Sequence, residues 1–249
     1  GIYENDRYEI NDENISTVAE NNDNGYILNG KKSYVMFGDT SDYFAILAKS
    51  EDGFKFIMVD KDNPGVTISE TTSLDQTRPM AEIILENVEV GNENFMFDIQ
   101  EDIWNKVKHI SISFLAMEQV GGAQACLDMS TQYAKERIQF GRPIGSFQAI
   151  QHMCADMLLQ IESAKSIAYS SVRVDSDDIV ELEMSSSMAK AYCSDVFNKV
   201  SGDNIQLHGG IGFTWEHPAH LYFKKAKSDS LIFGTAKSAR NDVSRLLSL

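Results

Sequence analysis

The stretch TQYAKERIQFGRPIGSFQAIQ, residues 131–151, limits what this chain can fold into more than any other. Good helix formers run up to Arg137, and Lys135 and Arg137 fall near a helix C-terminus, where the aligned carbonyls favour cations. Gly141 and Pro143 then break the pattern. Ser146 can cap a new helix, and from Phe147 the apolar and small residues fall at 147, 150, 154, 157, 161, 164, 168 and 171. Spacings of three and four held over several turns give one buried stripe, which a long helix in a bundle requires. On one reading the turn simply joins two helices. On the other it is functional, because Arg137, Phe140 and Gln148 set an arginine fork, an aromatic ring and an amide around a break where donors stay free.

The same periodicity predicts helices over 102–137, 146–174, 179–207 and 219–247, the last interrupted near Gly234. In the third, Ala189, Cys193, Val196 and Val200 repeat the stripe. Four long helices with short connections make an antiparallel four-helix bundle the economical arrangement. Upstream the pattern is different. GYILNGKKSYVMFG carries Asn29-Gly30 between two β-forming runs, and DYFAILAKSEDGFKFIMVD carries Asp52-Gly53; both pairs are hairpin signals. GVTISE at 65–70 and AEIILENVEV at 81–90 add two more strands. Residues 13–92 read as a compact antiparallel β-barrel or sandwich, and the acidic GNENFMFDIQED at 91–102 reads as a linker. The predicted class is α+β, with a β domain over 1–95 and the bundle over 96–249. The opening GIYENDRYEI is polar and ambiguous.

A formal net charge of −15 at pH 7 argues against a nucleic-acid partner, which needs a cationic face. Two basic islands, Lys135 with Arg137 and Arg142, and Lys224, Lys225 and Lys227, either serve an anionic cofactor or are solvated helix faces. No apolar run is long enough for a membrane span and the N-terminus lacks signal-peptide regions, so the cytoplasm is the expected compartment. Cys126, Cys154 and Cys193 fall in helical patterns without metal-ligand spacing and read as core thiols. His208, His217 and His220 lack the spacing of a zinc helix, so no metal is expected. Trp215 reads as a packing or interface anchor. In QLHGGIGF the glycines Gly209, Gly210 and Gly212 either cap a helix or let backbone approach a ligand or neighbouring chain.

YAKERIQFGRPIGSFQAIQHMCADM, QLHGGIGF at 206–213 and GTAKSAR at 234–240 together resemble the signatures of the acyl-CoA dehydrogenases, flavoenzymes that oxidise a thioester-activated Cα–Cβ bond. The resemblance covers nearly the whole chain but lacks the all-helical domain with which members normally start. It implies FAD as cofactor, an acyl-CoA substrate, electron-transfer flavoprotein as acceptor, and a homo- or hetero-oligomer, either dimer or tetramer. By the same resemblance, Arg137, Phe140 and Gln148 match positions around a cofactor reached across a dimer interface. Gln206, Leu207, Gly209 and Gly210 fall in the segment that contacts the ADP part of FAD bound mainly by a neighbouring subunit. Thr235 and Lys237 match a further FAD-contacting pair, and Glu4 would lie in the loop that runs up to the flavin.

In that family a glutamate takes the pro-R α-proton while hydride leaves Cβ for flavin N5. Its two known positions correspond here to Phe233 and Ser111, and neither is a carboxylate. Glu118 lies seven residues beyond Ser111, on the same helix face but about 10 Å further along the axis. A buried hydrogen bond or an interchain pair is the competing role for it. The family's threonine and tryptophan beside the flavin ring correspond to Met36 and Tyr34. Three readings follow: an acyl-CoA dehydrogenase-like flavoprotein with an unusual base or completed by a further domain, a non-catalytic partner subunit of a heteromeric dehydrogenase, or a flavin-free scaffold or interaction module.

Overall fold

The computed structural model describes residues 1–4, 14–98, 101–175 and 177–248, so most of the ambiguous opening lies outside the described residues. The chain divides into two compact units, Gly1–Trp104 and Asn105–Leu249.

The first unit is built on seven strands: β1 (Val18–Asn22), β2 (Gly25–Met36), β3 (Tyr43–Ser50), β4 (Gly53–Asp60), β5 (Val66–Thr71), β6 (Met80–Gly91) and β7 (Phe95–Asp98). They form one sheet in the order β5-β6-β2-β1-β3-β4-β7. Neighbours run antiparallel except β1 and β3, which meet in parallel at Val18 and Lys49. Among the described residues the short edge strands β5 and β7 do not pair with each other, so the barrel expectation fails and the sheet stays open. Its main core packs Leu28, Ile46, Ile57, Ile83, Leu85 and Val88 on one face. Strict alternation breaks in β3 because Leu47 is also buried, on a second small cluster with Ile15 and Phe56 that Trp104 covers.

Asp52-Gly53 does mark a hairpin, with Ser50 opposite Gly53 and the turn at Glu51 and Asp52. Asn29-Gly30 does not. Strand β2 runs straight through it, and the β1–β2 turn falls at residues 23 and 24, where Asn22 pairs with Gly25. Gly30 sits instead at a register shift against β6, and a Cβ there would stand 2.7 Å from Thr17 Cα. Glycine meets the needs of a bulge and a close approach as readily as those of a turn. The expected linker is also partly strand: a single 3₁₀ turn at Asn92–Asn94 leads into β7, which pairs with β4.

The second unit is helical, with α1 (Glu101–Glu136) entering it from the first, then α2 (Gln148–Ser171), α3 (Ile179–His208), α4 (Ala219–Asp229) and α5 (Ala236–Leu246). The fourth predicted helix is therefore two, parted around Gly234. The predicted stripe on α2 is buried at Met157, Ile161, Ala164 and Ala168, and the α3 stripe at Ala189, Cys193, Val196 and Val200 faces the same core. Burial pushes the Cys126 and Cys193 thiols up to about 12, so both are inert packing groups. Three buried polar pairs join α1 to α3: His109 Nδ1 to Ser186 Oγ at 2.8 Å, Gln119 Nε2 to Ser194 Oγ at 3.0 Å, and Ser130 Oγ to Asn204 Oδ1 at 2.8 Å. Ser146 is not the α2 cap. Its hydroxyl donates to Pro143 O at 2.8 Å within a 3₁₀ turn, and Phe147 takes the cap position.

Candidate functional site

The turn after α1 is a two-stranded ribbon, β8 (Ile138–Gln139) against β9 (Arg142–Pro143), closed by Arg137 O accepting from Ile144 N at 2.8 Å. Its two central residues, Phe140 at φ +52° and Gly141 at φ +77°, both lie in the left-handed region that such a tight ribbon requires. A bulky residue held there costs about 1–3 kcal/mol, and such strain collects at functional sites. The Phe140 ring is 91% exposed and meets Phe147 edge-on at 6.1 Å, while the Arg142 guanidinium covers Phe147 at 4.1 Å. Arg137 and Gln148 are exposed beside it.

The QLHGG segment lies at the same end of the bundle. Tyr133, one turn before Arg137, stacks on His208 with ring centroids 4.4 Å apart, and His208 stacks on His217 at 4.1 Å. His208 Nδ1 bonds the Asn204 carbonyl at 2.8 Å, which places the proton on Nδ1, and burial lowers the pKa of the ring. Gly209 ends α3 at φ +66°, and a Cβ at either Gly209 or Gly210 would meet nothing within 4 Å. The backbone there is open to an approaching group. Gln206 is exposed, whereas the Leu207 side chain is 6% exposed and belongs to the core, leaving its backbone for any contact. Trp215 is 70% exposed, with the Lys224 ammonium 4.9 Å above its ring, so it is not a core anchor.

Thr235 and Lys237 are elsewhere. Thr235 caps α5 by accepting from Ser238 N at 3.1 Å, and Lys237 is exposed. Ion pairs Arg240–Asp195 and Arg245–Glu183 lay α5 antiparallel along α3. Arg240 and Arg245 thus meet α3 at residues 195 and 183, before the helix ends at His208. In the turn before Thr235, Phe233 (φ +57°) and Gly234 (φ +97°) are both left-handed. Ser111 Oγ is tied to Val107 O on its own helix at 2.7 Å. The Glu118 carboxylate, on a side chain 44% exposed, pairs with Lys225 of α4 at 2.7 Å.

Within the sheet unit, Tyr34 (φ +54°) and Phe37 (φ +55°) flank Met36 beside a register shift of β2 against β6. Glu4 is 2% exposed and fully engaged by Ser16 N and Oγ at 2.5 Å, Thr17 N at 3.2 Å and the buried Lys32 ammonium. Burial alone would raise its carboxyl, but the bonds from Lys32 and Ser16 hold it below the usual range. Left-handed aromatic residues therefore occur at three positions that the family resemblance singled out, Tyr34, Phe140 and Phe233. The fourth, Phe37, was missed, since nothing in its local sequence marks strain.

A sheet unit followed by a helical bundle, with an arginine, an exposed ring, two glutamines and open glycine backbone at one bundle end, defines a two-unit protein able to receive an anionic dinucleotide. The families described as acyl-CoA dehydrogenase middle domain and acyl-CoA dehydrogenase C-terminal domain match residues 9–88 and 113–248. The chain belongs to the acyl-CoA dehydrogenase family, whose cofactor is FAD. It is 30% identical over 94% of its length to the caffeyl-CoA reductase-Etf complex subunit CarC of Acetobacterium woodii, of which it covers 64%. It is 40% identical over 48% of its length to acyl-CoA dehydrogenase IpdE2 of Mycolicibacterium smegmatis, of which it covers 37%. The solved butyryl-CoA dehydrogenase of Megasphaera elsdenii superposes with a TM-score of 0.86 at 26% identity, over 95% of this chain and 64% of that one. The chain thus spans less than two thirds of these relatives. Its residues fit FAD, since Arg137 offers a free fork to phosphate oxygens and Gly209 and Gly210 leave room for close approach.

Proposed function

We propose that this chain is an acyl-CoA dehydrogenase-like flavoprotein acting on the Cα–Cβ bond of an acyl-CoA thioester, with no carboxylate of its own at either usual base position. Bound FAD would supply the hydride acceptor for Cβ. Arg137, Phe140, Gln148, Gln206 and the backbone of Gly209 and Gly210 would hold one cofactor, and Thr235 and Lys237 would contact another. These contacts lie in two places, the Arg137 turn with the QLHGG segment and the start of α5, which suits cofactors shared between chains of an oligomer. The observation that carries the reading is the state of the three candidate bases. Phe233 has no proton acceptor, the Ser111 hydroxyl is spent on Val107 O, and Glu118 is committed to Lys225. General-base help contributes about 10²–10⁴-fold, so the chain alone should turn over slowly by that order.

The same observation favours a second reading, in which the chain is the FAD-site partner in a heteromer whose other subunit carries the glutamate. The naming of CarC as part of a reductase-Etf complex supports electron-transfer flavoprotein as the redox partner. Dye-coupled oxidation of acyl-CoAs of several lengths, run on wild type, Glu118→Gln and Phe233→Glu, tests both. Expected is weak wild-type turnover that rises with Phe233→Glu or on adding a glutamate-bearing partner. Brisk wild-type turnover abolished by Glu118→Gln would make Glu118 the base and overturn the proposal.

A further inference from the structure

The two largest fully buried side chains among the described residues are lysines, Lys32 in the sheet unit and Lys190 in the bundle. An ammonium taken out of water costs several kcal/mol unless its surroundings recover it, and a leucine or methionine would fill the same space without that cost. Lys32 meets the Glu4 carboxylate. Lys190, on α3 and 1% exposed, sends its Nζ to the backbone carbonyl of Asp229 at 2.7 Å. Asp229 is the last residue of α4, where helix carbonyls lack intrahelical donors and the aligned dipoles are negative. Its fully buried carboxylate faces Lys225 at 3.3 Å, and Lys225 in turn faces Glu118. Directly after this end come Leu231, which accepts from Gly234 N at 3.1 Å, and the left-handed pair Phe233 and Gly234. Two consecutive left-handed residues hold their shape only where the surroundings over-determine it.

We propose that Lys190 is a positioning residue: by capping the carbonyl end of α4 from α3, it fixes the turn that sets Phe233, Gly234 and Thr235 toward the cofactor. The value of that placement rests on the FAD reading above, but the placement itself can be measured without flavin. The test is amide hydrogen exchange on the folded chain for wild type, Lys190→Met and Lys225→Met, the last removing the other cation at Asp229 while leaving the carbonyl cap. Lys190→Met should raise exchange about tenfold or more across residues 230–238 and leave α2 unchanged, as loss of a charge-assisted bond predicts. Lys225→Met should not reproduce that pattern. FAD titration of the same proteins should show at least a tenfold weaker Kd for Lys190→Met and under threefold for Lys225→Met. If Lys190→Met does not fold, Lys190→Arg, which keeps the charge but moves the donors, should show the same regional loosening. Unchanged exchange at 230–238 in a folded Lys190 variant, or equal loosening in α2, overturns the proposal. Failure of wild type to bind FAD, with the exchange pattern intact, would sink the FAD reading and leave the cap standing.

Discussion

His109 gives the bundle a built-in acid sensitivity. It is 3% exposed between α1 and α3, bonded to Ser186 Oγ at 2.8 Å. Burial, then the charge of Lys108, lower its pKa from 6.5 to about 4, with Asp242 pulling the other way and Arg245 adding a smaller push. The folded state therefore keeps the ring neutral while the unfolded chain takes a proton below about 6.5, so the unfolded state binds more protons between the two values. The stability tied to this residue is complete above about pH 6.5, falls as pH drops, and stops changing below about 4. The linkage relation gives a loss of about 2 kcal/mol by pH 5 and about 3 kcal/mol by pH 4. Other groups titrate in the same range, among them His208 and His217, whose pKa values are also lowered, so a difference measurement is needed. His109→Gln keeps a hydrogen-bonding group near Ser186 and removes the titration. The assay is global-unfolding hydrogen exchange of α1 and α3 at pH 7.5, 6, 5 and 4, corrected for intrinsic rates. Wild type should lose about 2–3 kcal/mol more than the variant between the extremes. Parallel pH profiles for the two proteins would refute the neutral-imidazole argument.

Arg137→Ala should weaken FAD retention by about 1.5–3 kcal/mol, the worth of a hydrogen bond to a charged group, as read by equilibrium titration; an unchanged Kd would leave the turn a mere connector. Gly122→Ala should destabilise the bundle by about 1–3 kcal/mol in urea melts, because the added methyl collides with the Phe197 ring, and a neutral result would show that Phe197 can yield. The chain should self-associate or pair through the bundle. Residues 1–104 carry 22 Asp and Glu against 7 Lys and Arg, whereas residues 105–249 carry 15 of each, so like-charge repulsion opposes contacts between sheet units. Light scattering should report a dimer or tetramer at micromolar concentration, and a monomer with no partner added would count against a shared cofactor.

Helices and strands were legible wherever the signal is local. The three-and-four spacing on α2 and α3 fixes which face is buried, because a helix meets its core every 3.6 residues whatever lies opposite. The Arg137–Gln148 turn and the QLHGG segment could be singled out as candidate contacts through the family resemblance, since their residues alone fit a plain connection and a plain helix cap equally well. Asn29-Gly30 misled because glycine's backbone freedom is the same at a bulge as at a turn, and only long-range pairing of β2 with β6 decides between them. An open sheet and not a barrel, and the parallel pairing of β1 with β3, were settled by tertiary contacts. So were the roles of the charged residues. Whether Glu118 is free or paired depends on Lys225, more than a hundred residues away, and whether Lys190 is solvated or a buried cap depends on where α4 ends. A charge takes its energy from the burial and partners that folding brings to it, and neither is written in the residues beside it.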